Sequence, residues 1–379
     1  MTDAAWRVGG ALWLASYPAA MALLTAGLRR LPRTPPPAPG AACPSVTIVV
    51  SARNEAAALP RCLEALLALD YPRDRLQLVL VNDRSTDETG ALLEAVAQQH
   101  PHITAVHTEA CADNGLEAKA RGVAQGIARA TGEWVLITDA DAAVPRGWVH
   151  GLLRGVTAET ALVGGVAMVE PSGVWWGRFE RAAWSFLQVI NMGAAGWGMP
   201  VVSSGPDMGV RLAVYRAAGG LERARFRIAE DLAIFRMGRA AGGGVRLTAE
   251  PATTVLMTPV PSPAHVVSQL RRWVGGALES GPAYRIGVPL ALGWGVGLVV
   301  MLLTGWRWWP AAWGGFAAAK LVADLGILAS LGQRVGQRGL WRDLPALWAV
   351  QVLAMLWLPL SLMLDRRIHW RGDGYAVRY

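Results

Sequence analysis

Short runs of aliphatic and β-branched residues at 45–50, 76–81, 103–107 and 133–138 read as buried strands. Between them, segments 54–69, 86–99 and 118–130 place apolar residues at helical spacing. Strands that alternate with helices of about 10 to 15 residues predict an α/β domain with a mostly parallel sheet covered on both faces. From 144 to about 260 the pattern loosens. Residues 174–191 predict an amphipathic helix rich in aromatics, which either packs on the sheet or lies in a lipid interface, where Trp is favoured. Gly193, Gly196 and Gly198 follow it without the strand–turn–helix setting of a dinucleotide loop.

Long apolar runs flank this region. Residues 8–28, 286–305 and 344–364 are uncharged, and each reaches the roughly 20 residues needed to cross a bilayer. A fourth run, 308–331, is of similar length but carries Lys320 and Asp324. These two charges need burial against other helices, and at i, i+4 they can pair with each other. The chain of 379 residues is 53% hydrophobic and only 17% charged, which excludes a purely soluble enzyme. Its organisation reads as a membrane anchor (1–30), a stiff Pro-rich linker (31–44), a soluble domain (45–280), about three further membrane segments (281–367) and a basic tail (368–379).

The net charge is +8, and all basic residues except Lys119 and Lys320 are Arg. They cluster beside the apolar runs: Arg29, Arg30 and Arg33 after the first, Arg334, Arg338 and Arg342 before the last, Arg366, Arg367 and Arg371 after it. Such clusters report membrane orientation and attraction to anionic lipid, not nucleic acid. The charges follow the first run rather than precede it, so it reads as an anchor that leaves the soluble domain in the cytoplasm. Cys43, Cys62 and Cys111 have no metal-ligand spacing and fit reduced thiols.

Candidate chemistry begins where the strands end. Trp134-Val-Leu-Ile-Thr-Asp-Ala-Asp141 delivers Asp139 and Asp141 to the carboxyl end of a strand, where ligands bind in open α/β sheets. Two acids at that spacing suit a divalent cation that holds a diphosphate, although the pair on its own also suits a loop or helix cap. Glu55, in Ser51-Ala-Arg-Asn-Glu55, and Asp83, in Val81-Asn-Asp-Arg-Ser-Thr-Asp-Glu88, lie at neighbouring strand tips, where they can accept hydrogen bonds from a nucleobase and ribose. Asp87 and Thr86 suit helix capping. Ala229-Glu-Asp-Leu232 opens a further helical run, and Gln269-Leu-Arg-Arg-Trp273 precedes the second membrane segment.

These five motifs, in this order, resemble the family 2 glycosyltransferases, and the likeness covers roughly residues 44 to 280. The tail Ile368-His-Trp-Arg-Gly-Asp-Gly-Tyr375 resembles that of lipid-directed members, such as ceramide glucosyltransferase-like proteins. The resemblance implies a GT-A domain with membrane helices at both ends. It implies a nucleotide-diphosphate sugar donor, a UDP-sugar by preference, bound by Glu55, Asp83, Lys119, Asp139, Gln269, Arg272 and Trp273. It implies Mg2+ or Mn2+ on Asp141 and Asp139, Asp231 as general base, and Glu230 beside it. At Ser203-Ser-Gly-Pro-Asp-Met-Gly209 the chain departs from the small-residue turn of many members, because Asp207 stands there.

The expected activity is inverting, metal-dependent transfer of a sugar to a membrane lipid hydroxyl at the cytoplasmic face of the cell membrane. A polysaccharide synthase is the nearest alternative and calls for more helices to line a channel. A catalytically inactive scaffold or sugar-nucleotide sensor has no need of intact Asp139, Asp141 and Asp231. A nucleotidyltransferase leaves Gln269-x-x-Arg-Trp unexplained. If all four apolar runs cross, the carboxyl terminus lies outside, against the preference of Arg366, Arg367 and Arg371. One of the last three segments, 308–331 foremost, is therefore expected to be re-entrant or interfacial.

Overall fold

The computed structural model describes residues 3–34, 43–108, 116, 118–201, 204–224, 229–279, 293, 295–304, 306–307, 309–364, 367–370 and 373–376. Cys111, Ser203 and residues 286–292, 294 and 305 of the 286–305 run lie outside them, as do Arg366 and Arg371.

The alternating region folds as its pattern predicts. Strands β1 (Val46–Ala52), β2 (Leu76–Asn82), β3 (Ile103–His107) and β4 (Trp134–Asp139) alternate with α1 (Asp3–Arg30, before β1), α2 (Leu59–Leu67), α3 (Thr89–Gln99) and α4 (Ala118–Ala128). β3, β2, β1 and β4 pair in parallel. Their near-continuous apolar sequences suit strands buried on both faces, and Ile48, Leu78, Leu80 and Leu136 are fully buried.

The loosely patterned region supplies β5 (Ala142–Ala143), α5 (Trp148–Leu153), β6 (Thr160–Gly164), β7 (Val166–Val169), α6 (Trp175–Ala195), β8 (Met208–Arg211), α7 (Leu212–Ala217), α8 (Gly220–Arg223), α9 (Glu230–Ala240), β9 (Gly244–Leu247) and β10 (Thr254–Met257). The main sheet has the order β3-β2-β1-β4-β8-β6-β9. Only β8 runs against its neighbours, so the sheet is mixed but mostly parallel. A smaller sheet, β5-β10-β7, ties the segment after Asp141 to the approach of α10 (Pro263–Glu279).

On the membrane side are α11 (Gly295–Thr304), α12 (Pro310–Arg334) and α13 (Leu344–Leu364). Gly9–Arg30 of α1 and the 25-residue α12 are long and apolar enough to cross a bilayer. The run expected to be re-entrant is thus one continuous helix. Its Lys320 and Asp324 pair with each other, as their spacing predicts. The pair is enclosed by α1 and α13: Tyr17 donates its hydroxyl to Asp324, the Trp348 indole N–H donates to it at 2.8 Å, and Lys320 donates to Gln351 at 2.9 Å.

α6 lies across the ends of these helices. Near its C-terminus, a Cβ on Gly196 would fall 1.8 Å from the Gly27 carbonyl oxygen, so the backbones of α6 and α1 touch. Near its N-terminus, Arg181 donates to Asp343, just before α13, at 2.8 Å. α6 thus packs on β7 of the smaller sheet, as one of the two sequence readings expects, and also against α1 and α13. After α13, a hairpin of β11 (Arg367–Trp370) and β12 (Asp373–Ala376) brings the tail back against α10.

Replacing Lys320 by Met should strand the Asp324 charge and cost about 3–5 kcal/mol of stability. A Lys320→Met/Asp324→Leu double variant should lose less than the sum of the single losses. Thermal unfolding in detergent measures both.

Candidate active site

The strand register brings three motifs to one edge. Ser51 lies opposite Asp139 and Ala52 opposite Asn82, so the segments after β1, β2 and β4 leave the sheet side by side. Asn54 and Arg84 turn these loops through left-handed backbone, at φ 54° and 56°, and the loops brace one another. The Thr86 N–H donates to Asn54 Oδ1 at 2.8 Å, and Asp87 Oδ2 accepts the Ala56 N–H at 3.1 Å. Asp87 also accepts the Thr89 N–H at the start of α3 (3.0 Å), which is the capping its sequence predicts. Thr86 does not cap; it is spent on Asn54.

Asp83 is fully buried. Its Oδ1 accepts the Thr108 hydroxyl at 3.0 Å and the Arg84 Nε at 3.1 Å. Its Oδ2 is buried with no partner among the described residues, which suits an acceptor waiting for a ligand hydroxyl or base N–H. α4 passes directly over these tips because residue 122 is Gly: a Cβ there would meet Ser51 Oγ at 2.1 Å.

That close pass sets Lys119, one turn earlier on α4. Its ammonium pairs with Asp139 and, at 3.1 Å, with Glu230 at the start of α9. Burial alone would lower the Lys119 pKa, but these two carboxylates outweigh it and hold the ammonium well above its ordinary range. Asp231 lies alongside. Burial, followed by the Glu230 charge, pushes its carboxyl up to about 6 against the opposing pull of Lys119 and Arg272. Gly205 lets the turn before β8 approach Asp231, since a Cβ there would sit 3.0 Å from its Oδ2. The unusual Asp207 of that turn points elsewhere: it is fully buried and accepts the Trp148 indole N–H at 2.8 Å.

Asp141 is tied in through its carbonyl, which accepts the Thr258 N–H at 3.0 Å. The buried Cys62 thiol lies among the acids. It is pushed well up by burial and then by the charges of Asp141 and Asp139, with Glu55 adding to them. Of the predicted site residues, Glu55, Asp139 and Asp141 all lie near enough to act on the Cys62 thiol, and Lys119 links Asp139 to Glu230, with Asp231 and Arg272 adjoining. Trp273 packs edge-to-face on Trp184 of α6, with ring centroids 4.7 Å apart. Among the described residues, no three His, Cys, Asp or Glu form a ready metal cage.

Sequence reasoning missed a stripe on α6. Trp176, Glu180, Trp184 and Gln188 recur every fourth residue, so they share one helix face. Trp176 donates to the Val260 carbonyl at 2.9 Å, and Glu180 accepts the Val260 N–H at 2.9 Å, so the residue leading into α10 is held at both polar groups. Glu180 also hydrogen-bonds Gln269, and burial, with Asp141 adding, pushes its carboxyl up to about 7. Trp184 meets Trp273, and Gln188 donates to Ser204 at 3.3 Å, beside Gly205. The four-residue repeat, with an acid among aromatics, was the available signal.

The sequence model described as "Glycosyl transferase family 21" matches residues 12–379. The chain belongs to that family. Membership agrees with the motif order, which resembles membrane-anchored glycosyltransferases with lipid-directed members. This family 21 chain is 38% identical over 103 residues, 27% of its length, to a beta-monoglucosyldiacylglycerol synthase of Synechocystis sp.. It is 25% identical over 181 residues, 47% of its length, to the probable glycosyltransferase YdaM of Bacillus subtilis. The matched segments span only 21% and 43% of those two relatives. Among solved structures, a mannosyltransferase from Pyrobaculum calidifontis, in complex with GDP-Man and Mn2+, aligns with a TM-score of 0.50 and 21% identity, over 92% of this chain and 98% of that one. The architecture is therefore the GT-A fold, with two helices long and apolar enough to cross a bilayer.

Removing the Glu180 carboxylate should leave the Val260 N–H and Gln269 side chain buried without their acceptor, at about 1–3 kcal/mol. Glu180→Ala should accordingly lower the unfolding midpoint and speed hydrogen exchange at Val260. Glu180→Gln should do less, because its amide oxygen still accepts.

Proposed function

We propose that this protein is an inverting, metal-dependent glycosyltransferase that moves a sugar from a nucleotide-diphosphate donor, a UDP-sugar by preference, to the hydroxyl of a membrane lipid. The observation that carries this reading is the Lys119 bridge, which draws Asp139 of the donor motif to Glu230 of the acceptor motif and so sets Asp231 beside the strand-tip acids. Lipid is the favoured acceptor because α6 adjoins both the site and the membrane helices, and because the Synechocystis relative is a glucosyldiacylglycerol synthase.

The donor set fits a hard cation. Mg2+ and Mn2+ are held by one or two carboxylates together with substrate phosphate oxygens, and Asp141 and Asp139 offer such carboxylates at a strand tip; Lys119 already occupies part of Asp139, so Asp141 is the principal ligand. When bound, the cation would offset negative charge on the departing diphosphate. Asp83 and Glu55 hold the nucleoside, and the planar Arg272 guanidinium suits a phosphate oxygen pair. Trp273, braced by Trp184, presents an indole edge or face to sugar or acceptor.

Asp231 then acts as general base. It takes the proton of the acceptor hydroxyl as that oxygen attacks the anomeric carbon in line, opposite the leaving diphosphate, and one displacement inverts the centre. Its raised pKa makes it a stronger base than an ordinary Asp while leaving it mostly ionised at neutral pH. Glu230 raises that basicity, and its own position is fixed by Lys119. The Arg-rich ends of α1 and α12 lie together, with Arg334 donating to the Leu31 carbonyl at 3.0 Å. This supports a multi-pass cell-membrane protein whose catalytic domain lies on the cytoplasmic side.

Asp231→Asn should abolish transfer while leaving donor affinity within about tenfold, since a base is removed and little binding is lost. An active variant would overturn the assignment. In the wild type, kcat/KM should fall as pH drops through about 6, because protonation of Asp231 removes the base. Mass spectrometry of lipids from expressing cells, with and without the variant, identifies the product.

A further inference from the structure

At the foot of α1 a second cavity, of about 540 Å³, opens between the end of that helix, the end of α6 and strands β6 and β9. It is remote from the strand-tip acids. β6 and β4 both run antiparallel to β8 and so point the same way. Thr160, in the cavity wall, begins β6, whereas Asp139 ends β4. The cavity lies along the β9 edge of the sheet, three strands from β4 and its acids.

Three guanidinium groups line this cavity, from Arg33, Arg239 and Arg246. Among the described residues none of the three forms an ion pair with a carboxylate. Arg246, half-buried, reaches only the Leu152 carbonyl at 3.4 Å and the Gly151 carbonyl and Thr34 hydroxyl at 3.5 Å. The acid that acts on Arg246 is Glu250, and it accepts the Thr34 N–H at 2.7 Å. With Glu250 beside Arg246 and no acid paired to Arg33 or Arg239 among the described residues, the cavity keeps a net positive charge that favours an anionic ligand. The remaining wall is apolar, with Leu31, Pro200 and Val245.

Trp197, exposed and next in sequence to the cavity-lining Gly198, lies against the end of α1. Its indole N–H donates to the Leu23 carbonyl at 2.8 Å, and Arg30 stacks over its ring at 4.3 Å. A Trp–Arg pair at the end of a membrane helix sits at headgroup level. Just above it, Leu12 and Leu23 expose their side chains along α1, where acyl chains would lie.

We propose that this cavity binds the phosphodiester headgroup of one anionic phospholipid, whose chains run up α1. Guanidinium forks match phosphate oxygens in pairs, and the apolar wall receives the glycerol backbone. The site goes beyond sugar transfer, and its test does not depend on that activity.

Native mass spectrometry of the full chain in neutral detergent, titrated with dioleoyl phosphatidylglycerol or dioleoyl phosphatidylcholine, reads the site directly. One phosphatidylglycerol should be retained at least about tenfold more tightly than phosphatidylcholine, as expected for several Arg residues near one anionic headgroup. Arg33 and Arg239 are exposed, so Arg33→Gln/Arg239→Gln should fold normally and remove that preference. Arg342→Gln, at the far end of α6, should keep it. Equal retention of the two lipids, an unchanged double variant, or an equal loss in Arg342→Gln would overturn the proposal. So would displacement by equimolar glycerol phosphate, which would indicate a small-anion site, or by UDP, which would indicate an extension of the donor site.

Discussion

One buried ammonium makes the carboxylate cluster possible. Asp139 and the adjacent Glu230 and Asp231 come from two segments far apart in the chain, and like charges brought together out of water repel strongly. Lys119 pairs with two of them and pulls down the pKa of the third. The ammonium can reach them only because α4 lies against the strand tips, and α4 lies there only because Gly122 has no side chain to strike Ser51. A backbone constraint on one helix thus becomes the electrostatic condition for the whole site. The balance is incomplete: Asp231 keeps a carboxyl pushed up to about 6, which suits the general base proposed for it.

α6 joins that site to the long apolar helices. One face meets the membrane helices so closely that side chains are excluded. Cβ atoms on Gly193 and Gly196 would fall 2.7 Å from the Leu24 carbonyl oxygen and 1.8 Å from that of Gly27. Small residues at such crossings let helices approach backbone to backbone, which explains a glycine run that had no phosphate-loop setting. The other face carries the Trp176–Gln188 stripe, which holds Val260, Gln269, Trp273 and Ser204. A shift of the membrane helices against α6 would therefore be felt at both α10 and the turn beside Asp231.

The parallel half of the domain was legible because each strand is a short β-branched run and each crossover a helix of ordinary length. Four strands fall within two residues of their expected ends, and the helix over 54–69 shortens to Leu59–Leu67 because Asn54 and Glu55 are taken by the braced loop. The motifs were legible because their order along the chain is distinctive. What stayed hidden was long-range. β8 is four residues long and antiparallel, and nothing local announces it. Glu180 reads as one more polar residue on an aromatic helix until α10 is seen folded over it. The pairing of Lys320 with Asp324 was visible from spacing, but the enclosing Tyr17, Trp348 and Gln351 come from two other helices.

The use of lysine joins the two halves of the molecule. Every other Lys or Arg position is Arg, and the two exceptions, Lys119 and Lys320, are the ammonium groups at the centres of two buried charge clusters, whereas the Arg181–Asp343 pair uses a guanidinium. The chemistry of the side chains accounts for the division. An Arg guanidinium presents a planar fork that suits carboxylates and phosphates at surfaces and stacks on indoles, as Arg30 does on Trp197. A compact ammonium with three rotatable donors suits a point where acceptors converge from different helices. Lys119 meets that demand between α4, β4 and α9, and Lys320 meets it between α12 and α13, beneath the Tyr17 ring of α1. In both places the acceptors approach from directions that no planar fork could serve at once, so Arg would leave a carboxylate buried and unpaired.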